Sequence, residues 1–356
     1  MSMHFDDWPR IGAFTYRMKG FKDNTAKHYH KQYQLRLWQK VGKNFFADKD
    51  DFCIGARKRH RVGLELFESF LSTYHKRAPT LGIMHYVENS HDSTSRVYWL
   101  DDELHAFLNY TLERGLLNNT ALFLYSDHGA RFSNKKSSAK RYLEERMPFF
   151  SLTLPDWFRQ KYRNRYANLL ENAHNRLTTP FDIYATVRDL TCLGRDETTY
   201  NKHLAYNQQR SISLLDEISP SRNCDHIGVS DHFCVCIKAW KSESITDQLI
   251  IDATNSSIYF INFITKDVKH LCARLTLREI LTAESLDRSS SNQTNLLRIQ
   301  FMTAPNNGTY ETLLALGNVK SYMFRSLRFS IKSRDDISRI DAYGDQPHCV
   351  SNFDNN

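Results

Sequence analysis

The feature that most constrains the fold is an alternation of short apolar segments with amphipathic segments in the first half of the chain. The apolar segments are typical of buried strands, and the amphipathic segments place apolar residues three and four apart, as a helix requires. Strands are predicted at residues 80–87, 121–125 and 147–155, and helices at residues 61–77, 100–115 and 179–194. This order predicts an α/β fold with a doubly wound, mostly parallel sheet.

Residues at the ends of the predicted helices support these assignments. Thr179 is a suitable N-cap and is followed by Pro180 at the first helical position. Gly115 and Gly194 are suitable C-terminal caps.

The pattern changes near residue 205. The segments "HFCVCIKAW", "SSIYFINFI", "NLLRIQFMTA", "YETLLALG" and "YMFRSLRFSI" are rich in strand-forming residues and separated by turn residues. We therefore predict two domains, an α/β domain over residues 1–205 and a smaller β-rich, cysteine-containing domain over residues 206–356.

A predicted buried strand ends in two ionisable residues. In "LFLYSDHGAR" the apolar run is followed by Asp127, His128 and Gly129. Functional groups of doubly wound folds lie beyond the carboxyl ends of the strands, and a carboxylate with an imidazole suits a divalent metal ion. The alternative is an Asp–His hydrogen bond that closes a loop.

The preceding strand also ends in polar residues, in "HYVENSHD". His85 lies within the strand pattern and is expected to be packed, whereas His91 and Asp92 lie beyond its end. His91 could donate to an anionic oxygen, or it could be an exposed loop residue.

The segment "KRYLEERMPFF" precedes the third predicted strand. Lys140 and Arg141 are candidates to hold an anion, with an ordinary surface role as the alternative. Glu144, Glu145 and Arg146 are expected to form structural ion pairs.

Common catalytic motifs are missing from the sequence. It contains no GxSxG elbow, Walker loop, HExxH motif or Rossmann fingerprint. Upstream of residue 80 we identify no strand-end carboxylate followed by an activated Ser, Thr or Cys. No nucleophile is therefore assigned.

Cysteines and glycosylation sequons indicate an oxidising compartment. Three of the seven cysteines crowd into "NCDHIGVSDHFCVC", where the CxC spacing is poor for tetrahedral zinc and favours disulfides. The disulfide candidates are Cys53, Cys224, Cys234, Cys236 and Cys349. The Asn–X–Ser/Thr sequons are at Asn109, Asn118, Asn255, Asn292 and Asn307. The N-terminus, in contrast, does not resemble a signal peptide.

The charge and hydropathy of the chain indicate whether nucleic acid or a membrane is an expected partner. The formal charge is +8, but the basic residues are scattered except for a cluster at residues 57–61, which is typical of a solvated helix face. Nucleic-acid binding is the alternative and is not expected, since no recognised nucleic-acid-binding motif accompanies the cluster. No apolar run is long enough to span a bilayer.

Several segments in series resemble a known family. "SHDSTSRVYWLDDELHAFLNYTLERGLLNNTALFLYSDHGARF", "YLEERMPFFSLTLPDWF" and "LTTPFDIYATVRDL" resemble the invertebrate sulfatase-like proteins of unknown function (DUF229 type), which belong to the alkaline-phosphatase-like superfamily. "DDWPRIGAFTYRMKGF", "NCDHIGVSDHFCVC" and "ISRIDAYGDQPHCV" extend the similarity through nearly the whole chain.

The resemblance implies an alkaline-phosphatase-like core and an extracellular or luminal setting. It implies that Asp127 and His128 are metal ligands, for Zn²⁺, Ca²⁺ or Mn²⁺, and that His91 and Lys140 contact a substrate anion. Family members carry a first metal-binding Asp and the nucleophile upstream of the segment that resembles "DDWPRIGAF". We therefore expect this chain to correspond to the C-terminal portion of a family member, with an incomplete sheet at its N-terminus.

Two functions follow as expectations. The first is a sulfatase-like or phosphatase-like protein whose family chemistry is metal-assisted hydrolysis of a sulfate or phosphate ester, inactive as this chain because no nucleophile is present. The alternative is a non-catalytic extracellular protein that binds an anionic glycan or a protein partner.

Overall fold

The computed structural model describes most of the chain. The described residues are 1–15, 18–41, 53–91, 95–129, 138–193, 210–236, 240–288, 294–305, 307–317, 324–325, 328–331 and 336–341. They divide into two compact units. Unit 1 comprises residues 1–126 and 149–163, and unit 2 comprises residues 127–148 and 164–356. The predicted boundary at residues 205 and 206 lies outside the described residues.

Helices and strands alternate in the first half, and strands dominate the end of the chain. The helices are α1 Lys31–Val41, α2 Arg59–Tyr74, α3 Tyr98–Glu113, α4 Ser138–Arg146, α5 Asp156–Lys161, α6 Arg163–Asn175, α7 Pro180–Thr191 and α8 Gln248–Ile264. The strands are β1 Ser2–Asp6, β2 His28–Tyr29, β3 Cys53–Ile54, β4 Arg57–Lys58, β5 Leu81–His85, β6 Leu122–Tyr125, β7 Phe150–Thr153, β8 Lys241–Ser242, β9 Thr276–Leu286, β10 Leu296–Ala304, β11 Thr309–Leu316, β12 Phe324–Arg325, β13 Phe329–Ile331 and β14 Ile337–Arg339. The fold is therefore mixed α/β, as the alternation predicts.

Unit 1 contains a small parallel sheet in the order β2-β1-β5. Ser2 pairs with Leu81 and Asp6 with His85, so the carboxyl ends of β1 and β5 lie side by side. One face of β1, formed by Met3 and Phe5, is buried in a core shared with α2 and α3. Because side chains alternate along a strand, the other face carries His4 and Asp6.

The sheet departs from the predicted single doubly wound sheet. The strands β6 and β7 were expected to join the parallel sheet, but they pair antiparallel as a separate two-stranded sheet. Their side chains are half-buried or exposed, whereas a central strand of a parallel sheet is buried on both faces. Apolar composition alone did not distinguish the two pairings.

Unit 2 contains a seven-stranded antiparallel sheet. Its order is β12-β13-β11-β10-β9-β8, and β14 also pairs with β11. The strands β10, β11 and β13 occur where strand-forming segments were predicted, whereas β9 was not predicted. The mostly antiparallel C-terminal sheet is therefore confirmed.

One predicted strand of unit 2 is wrong, since "SSIYFINFI" lies in the helix α8. The Asp247 carboxylate accepts a hydrogen bond from the Leu249 backbone N–H and caps the helix. The α8 residues Ile250, Ala253 and Ile261 are buried against the sheet at a helical spacing. The strand propensity of its Ile, Tyr and Phe residues is overridden by this packing.

The segment "HFCVCIKAW" is a second exception to the predicted strands. Its described residues form turns, and strand structure begins only at β8.

Among the described residues, no helix combines the length and the apolar content needed to cross a bilayer.

Candidate functional site

A cluster of ionisable side chains lies at the carboxyl ends of β1 and β5 in unit 1. Asp6 is buried, its Oδ1 lies 2.9 Å from His85 Nδ1, and its Oδ2 lies 3.1 Å from His4 Nε2. His4 Nδ1 in turn lies 2.9 Å from the Thr25 hydroxyl. Asp6 is thus a strand-end carboxylate upstream of residue 80. The expectation that no activated Ser, Thr or Cys follows such a carboxylate stays a prediction.

The two imidazoles control the ionisation of Asp6. Burial raises the pKa of Asp6, but the neighbouring His4 and His85 imidazoles outweigh it and lower the pKa to about 2. Asp6 is therefore an anion at neutral pH that orients two histidines. The alternation of Met3 and Phe5 with polar residues, followed by two aspartates, is the sequence signal that could have revealed this strand end.

Asp7 has a structural role next to Asp6. Its carboxylate accepts hydrogen bonds from the backbone N–H groups of Val87 (2.9 Å) and Glu88 (3.1 Å). Burial raises the pKa of Asp7 to about 6, although these hydrogen bonds oppose the rise. Asp7 thus fixes the loop that follows β5.

Glu88 belongs to the same cluster. It lies 3.0 Å from the Arg59 guanidinium, and both side chains are buried. Burial raises the pKa of Glu88 to about 8, and Arg59 lowers it in part. A concentration of buried ionisable groups with shifted pKa values is typical of functional sites, and it also occurs in structural ion-pair networks.

We expect stability to depend on pH through Asp7. Because the folded pKa exceeds the ordinary aspartate value of 3.8, the contribution of Asp7 is full below about pH 4 and is lost as the pH rises through 6. Relative to Asp7→Asn, the wild type should lose about 3 kcal/mol of unfolding free energy between about pH 4 and pH 7.5. Urea denaturation across this range tests the difference, with Asp101→Asn, which removes an exposed carboxylate, as the control. Parallel pH profiles for wild type and Asp7→Asn would contradict it.

His91 lies in the loop held by Asp7. It is exposed, its backbone N–H donates to the Val87 carbonyl at 2.9 Å, and its ring lies 6.3 Å from the Trp8 ring in a T-shaped contact. Asp92 lies outside the described residues. Contact of His91 with a substrate anion stays a prediction.

Asp127 and His128 are the predicted metal ligands. They follow β6 after one intervening residue, Ser126, and they are the first two residues of unit 2. The Asp127 side chain is 80% exposed, and its Oδ2 lies 3.5 Å from His128 Nε2. Its Oδ1 accepts the His128 backbone N–H at 2.9 Å. His128 Nδ1 lies 2.7 Å from the Gly129 carbonyl oxygen, and since a carbonyl only accepts, Nδ1 carries a proton.

Gly129 is required at this position by close packing. Its backbone N–H donates to the Glu145 carbonyl at 3.2 Å, and a β-carbon would clash with the Glu144 carbonyl oxygen. The backbone φ of Gly129 is not positive, so a left-handed conformation does not explain the glycine. The need for glycine is therefore steric.

The spacing of Asp127 and His128 suits two ligands of one metal ion. Two ligand atoms at about 2.1 Å from a tetrahedral ion lie roughly 3.4 Å apart. With a proton on Nδ1, Nε2 is the ring nitrogen that faces the carboxylate oxygen, as a metal ligand would. Within the described ranges, however, no third His, Cys, Asp or Glu joins this pair, and the one group of three that lies within reach of a single ion consists of cysteines.

Lys140 is the remaining predicted anion contact. It belongs to α4, but its side chain and that of Arg141 lie outside what the structure describes. The role of Lys140 stays a prediction.

The cysteine-rich segment forms one of the expected disulfides. Cys224 is bonded to Cys234, and both are buried. Cys53 and Cys236 were also disulfide candidates, but both are exposed free thiols. Cys236 has no partner in its segment because Cys224 and Cys234 are bonded to each other. Cys53 lies in the two-residue strand β3 of unit 1. Cys349 lies outside the described residues.

The described sequons are accessible. Asn109, Asn118, Asn255 and Asn307 are exposed, and Asn292 lies outside the described residues. Their glycosylation stays a prediction.

The basic cluster at residues 57–61 is neutralised within unit 1. Every Lys and Arg of the cluster is paired with a carboxylate: Arg57 with Glu65, Lys58 with Glu103, Arg59 with Glu88, and Arg61 with Glu65 and Glu68. A polyanion would have to displace these carboxylates. The cluster therefore gives no support to nucleic-acid binding.

Comparison with known proteins gives one match. A family model described as "Protein of unknown function (DUF229)" matches residues 1–281, which is more than half of the chain. The chain therefore belongs to this family. Neither the curated proteins nor the solved structures gave a match.

Proposed function

We propose that this DUF229 protein is sulfatase-like or phosphatase-like, holds a divalent metal ion at Asp127 and His128, and binds an anionic ester or glycan there without hydrolysing it by itself. The observation that carries the proposal is the arrangement of this pair, with an exposed carboxylate oxygen 3.5 Å from an imidazole nitrogen. An extracellular or luminal setting is part of the proposal and is supported by the Cys224–Cys234 disulfide.

The residues of the chain would prepare the metal site in a defined way. The Gly129 carbonyl holds the proton of His128 on Nδ1, which leaves Nε2 as the ligand atom. Asp127 contributes the negative charge that a divalent ion needs. When bound, the ion would supply a positive charge that attracts and polarises a sulfuryl or phosphoryl oxygen.

Hydrolysis by these 356 residues is not proposed. A metal-assisted hydrolase needs a nucleophile and further ligands, and the sequence supplies no identified nucleophile. Within the described residues Asp127 and His128 have no third ligand, so we expect weak metal binding. Aryl sulfate and aryl phosphate should therefore not be turned over.

Metal titration tests this proposal. We expect wild-type protein to bind Zn²⁺ or Mn²⁺ in isothermal titration calorimetry, and Asp127→Asn and His128→Gln each to weaken binding about tenfold or more. Asp101→Asn, which also removes an exposed aspartate, should leave binding unchanged. Equal affinity in all four proteins, or no binding to the wild type, would contradict the metal site.

Binding of a sulfated glycan distinguishes the proposed metal-dependent binding from the alternative, in which the chain binds an anionic glycan without a metal ion. On the metal-site proposal, retention on heparin at moderate salt should fall on addition of EDTA and in Asp127→Asn. Retention that is unaffected by both would favour a purely electrostatic surface, consistent with the net charge of +8.

A further inference from the structure

Three cysteine sulfurs of unit 2 lie together in the segment at residues 223–236. The sulfurs of Cys224, Cys234 and Cys236 lie within 4.8 Å of one another. Two of them form the buried disulfide, while Cys236 is an exposed free thiol. A free thiol next to a disulfide is the arrangement required for thiol–disulfide exchange.

We propose that Cys236 is an exchange residue that shifts the disulfide from Cys224–Cys234 to Cys224–Cys236. The Cys236 thiolate attacks Cys224 Sγ, the new S–S bond forms, the old S–S bond breaks, and Cys234 leaves as a thiolate. One thiolate and one disulfide are present before and after the step. No external oxidant or reductant is needed.

The spacing along the chain selects Cys224 as the sulfur that is attacked. Attack on Cys234 would close a disulfide across the single residue Val235. Attack on Cys224 instead changes the separation of the bonded residues from 10 to 12. Loops of such similar length restrict the unfolded chain to nearly the same degree, so chain entropy does not strongly favour either disulfide.

The backbone around Cys234 is held independently of its sulfur. The Tyr142 hydroxyl donates to the Cys234 carbonyl at 2.8 Å, and the Cys234 N–H donates to the Asp231 carbonyl at 3.3 Å. Arg146 Nε donates to the adjacent His232 carbonyl at 2.8 Å. The loop therefore keeps its anchor when Cys234 is released.

A metal ion held by three thiolates is the competing use of these sulfurs. The bonded pair already consumes two of the three ligands, so the structure favours exchange. One equivalent of zinc in the purified protein, together with three reactive thiols in the segment, would overturn the proposal.

Trapping of the thiols in the full chain tests the exchange. Protein incubated at pH 8 is quenched at pH 4 in guanidinium chloride with excess N-ethylmaleimide, since exchange is slow when thiolate is scarce. After reduction and iodoacetamide treatment, the tryptic peptide of residues 223–238 contains all three cysteines, and fragmentation locates each label. We expect about a tenth or more of the maleimide on Cys234 and the rest on Cys236. Maleimide on Cys236 alone after prolonged incubation would overturn the proposal.

Two variants and an internal standard complete the experiment. Cys234→Ser should form the Cys224–Cys236 disulfide, and recovery of Cys224 as a free thiol would contradict the proposal. Cys236→Ser should show no maleimide in the segment. Cys192, a free thiol elsewhere in unit 2, should be labelled equally in all proteins. If Cys234→Ser does not fold, the wild-type label distribution decides by itself.

Discussion

Replacing Asp182 by alanine is expected to lower the free energy of unfolding of unit 2 by about 4 kcal/mol. Asp182 is fully buried in α7. Its two carboxylate oxygens accept hydrogen bonds from the Arg222 guanidinium at 2.9 and 3.0 Å. The alanine variant would leave the buried Arg222 cation without its counter-charge, and an uncompensated buried charge is costly.

The Asp182 carboxylate also accepts from two backbone groups. The Thr179 N–H donates at 2.7 Å and completes the capping box of α7, and the Ile212 N–H donates at 2.9 Å. Ile212 begins a buried segment without regular structure that includes Leu214 and Leu215. Such a segment needs side-chain partners for its backbone, so loss of Asp182 should loosen both the helix start and this segment.

Urea denaturation followed by circular dichroism measures this effect. The matched control is Asp267→Ala, since Asp267 is an exposed aspartate of unit 2. We expect the control to change the free energy of unfolding by less than about 0.5 kcal/mol. Asp182→Asn should cost less than Asp182→Ala, because an amide oxygen still accepts one hydrogen bond. Equal stabilities of Asp182→Ala and the wild type would refute the assigned role.

The sequence predicts the contacts of Asp182 with its neighbours in the chain, but not its contacts with residues far away in the chain. Thr179 and Pro180 identify the start of α7 because capping depends on neighbouring residues. Arg222 and Ile212 are 40 and 30 residues away from Asp182, and nothing in their sequence context indicates which carboxylate they bind. The full set of Asp182 partners therefore becomes visible only in three dimensions.

Strand assignment failed where burial rather than composition decides. "SSIYFINFI" has the residues of a strand, yet α8 forms because one of its faces packs on the sheet of unit 2. Conversely, β1 was missed, although Met3 and Phe5 alternate with polar residues, because a five-residue strand carries a weak signal. Because β1 was not predicted, Asp6 and Asp7 were not recognised as carboxylates at the end of a strand.

The candidate metal pair illustrates a similar limit. The position of Asp127 and His128 just after a strand followed from the apolar run before them. The hydrogen bond that sets the His128 tautomer, and the steric need for Gly129, depend on atoms that the sequence does not place. The residue pattern thus predicted which two side chains follow the strand, while their geometry required the structure.

Replacing Arg146 by methionine is expected to lower the free energy of unfolding of unit 2 by about 3 kcal/mol or more. The sequence predicted an ion pair for Arg146, and its side chain is indeed almost completely buried with the carboxylates of Glu145 (3.2 Å) and Glu311 (3.0 Å). Its guanidinium also donates to the His232 carbonyl at 2.8 Å and lies 2.9 Å from His232 Nε2. Methionine retains much of the volume but removes every one of these hydrogen bonds.

The charge left behind explains the size of the expected loss. Burial raises the pKa of Glu311, but the Arg146 cation and a hydrogen bond from Gln300, among others, outweigh it and hold the pKa below its ordinary value. Burial lowers the pKa of His232 to about 4, so this imidazole is neutral at pH 7 in the wild type and Arg146 supplies the positive charge beside Glu311. In Arg146→Met, Glu311 must either remain as a buried anion or take up a proton.

A double variant separates the lost charge balance from lost packing. Arg146→Met combined with Glu311→Gln removes both charges, and we expect it to be at least about 1 kcal/mol more stable than Arg146→Met alone. Arg274→Met, at an exposed arginine of unit 2, is the control and should stay within about 0.5 kcal/mol of the wild type. Urea denaturation at pH 7 gives all four values. If the double variant is less stable than Arg146→Met, packing and hydrogen bonding, rather than the unpaired Glu311 charge, account for the role of Arg146.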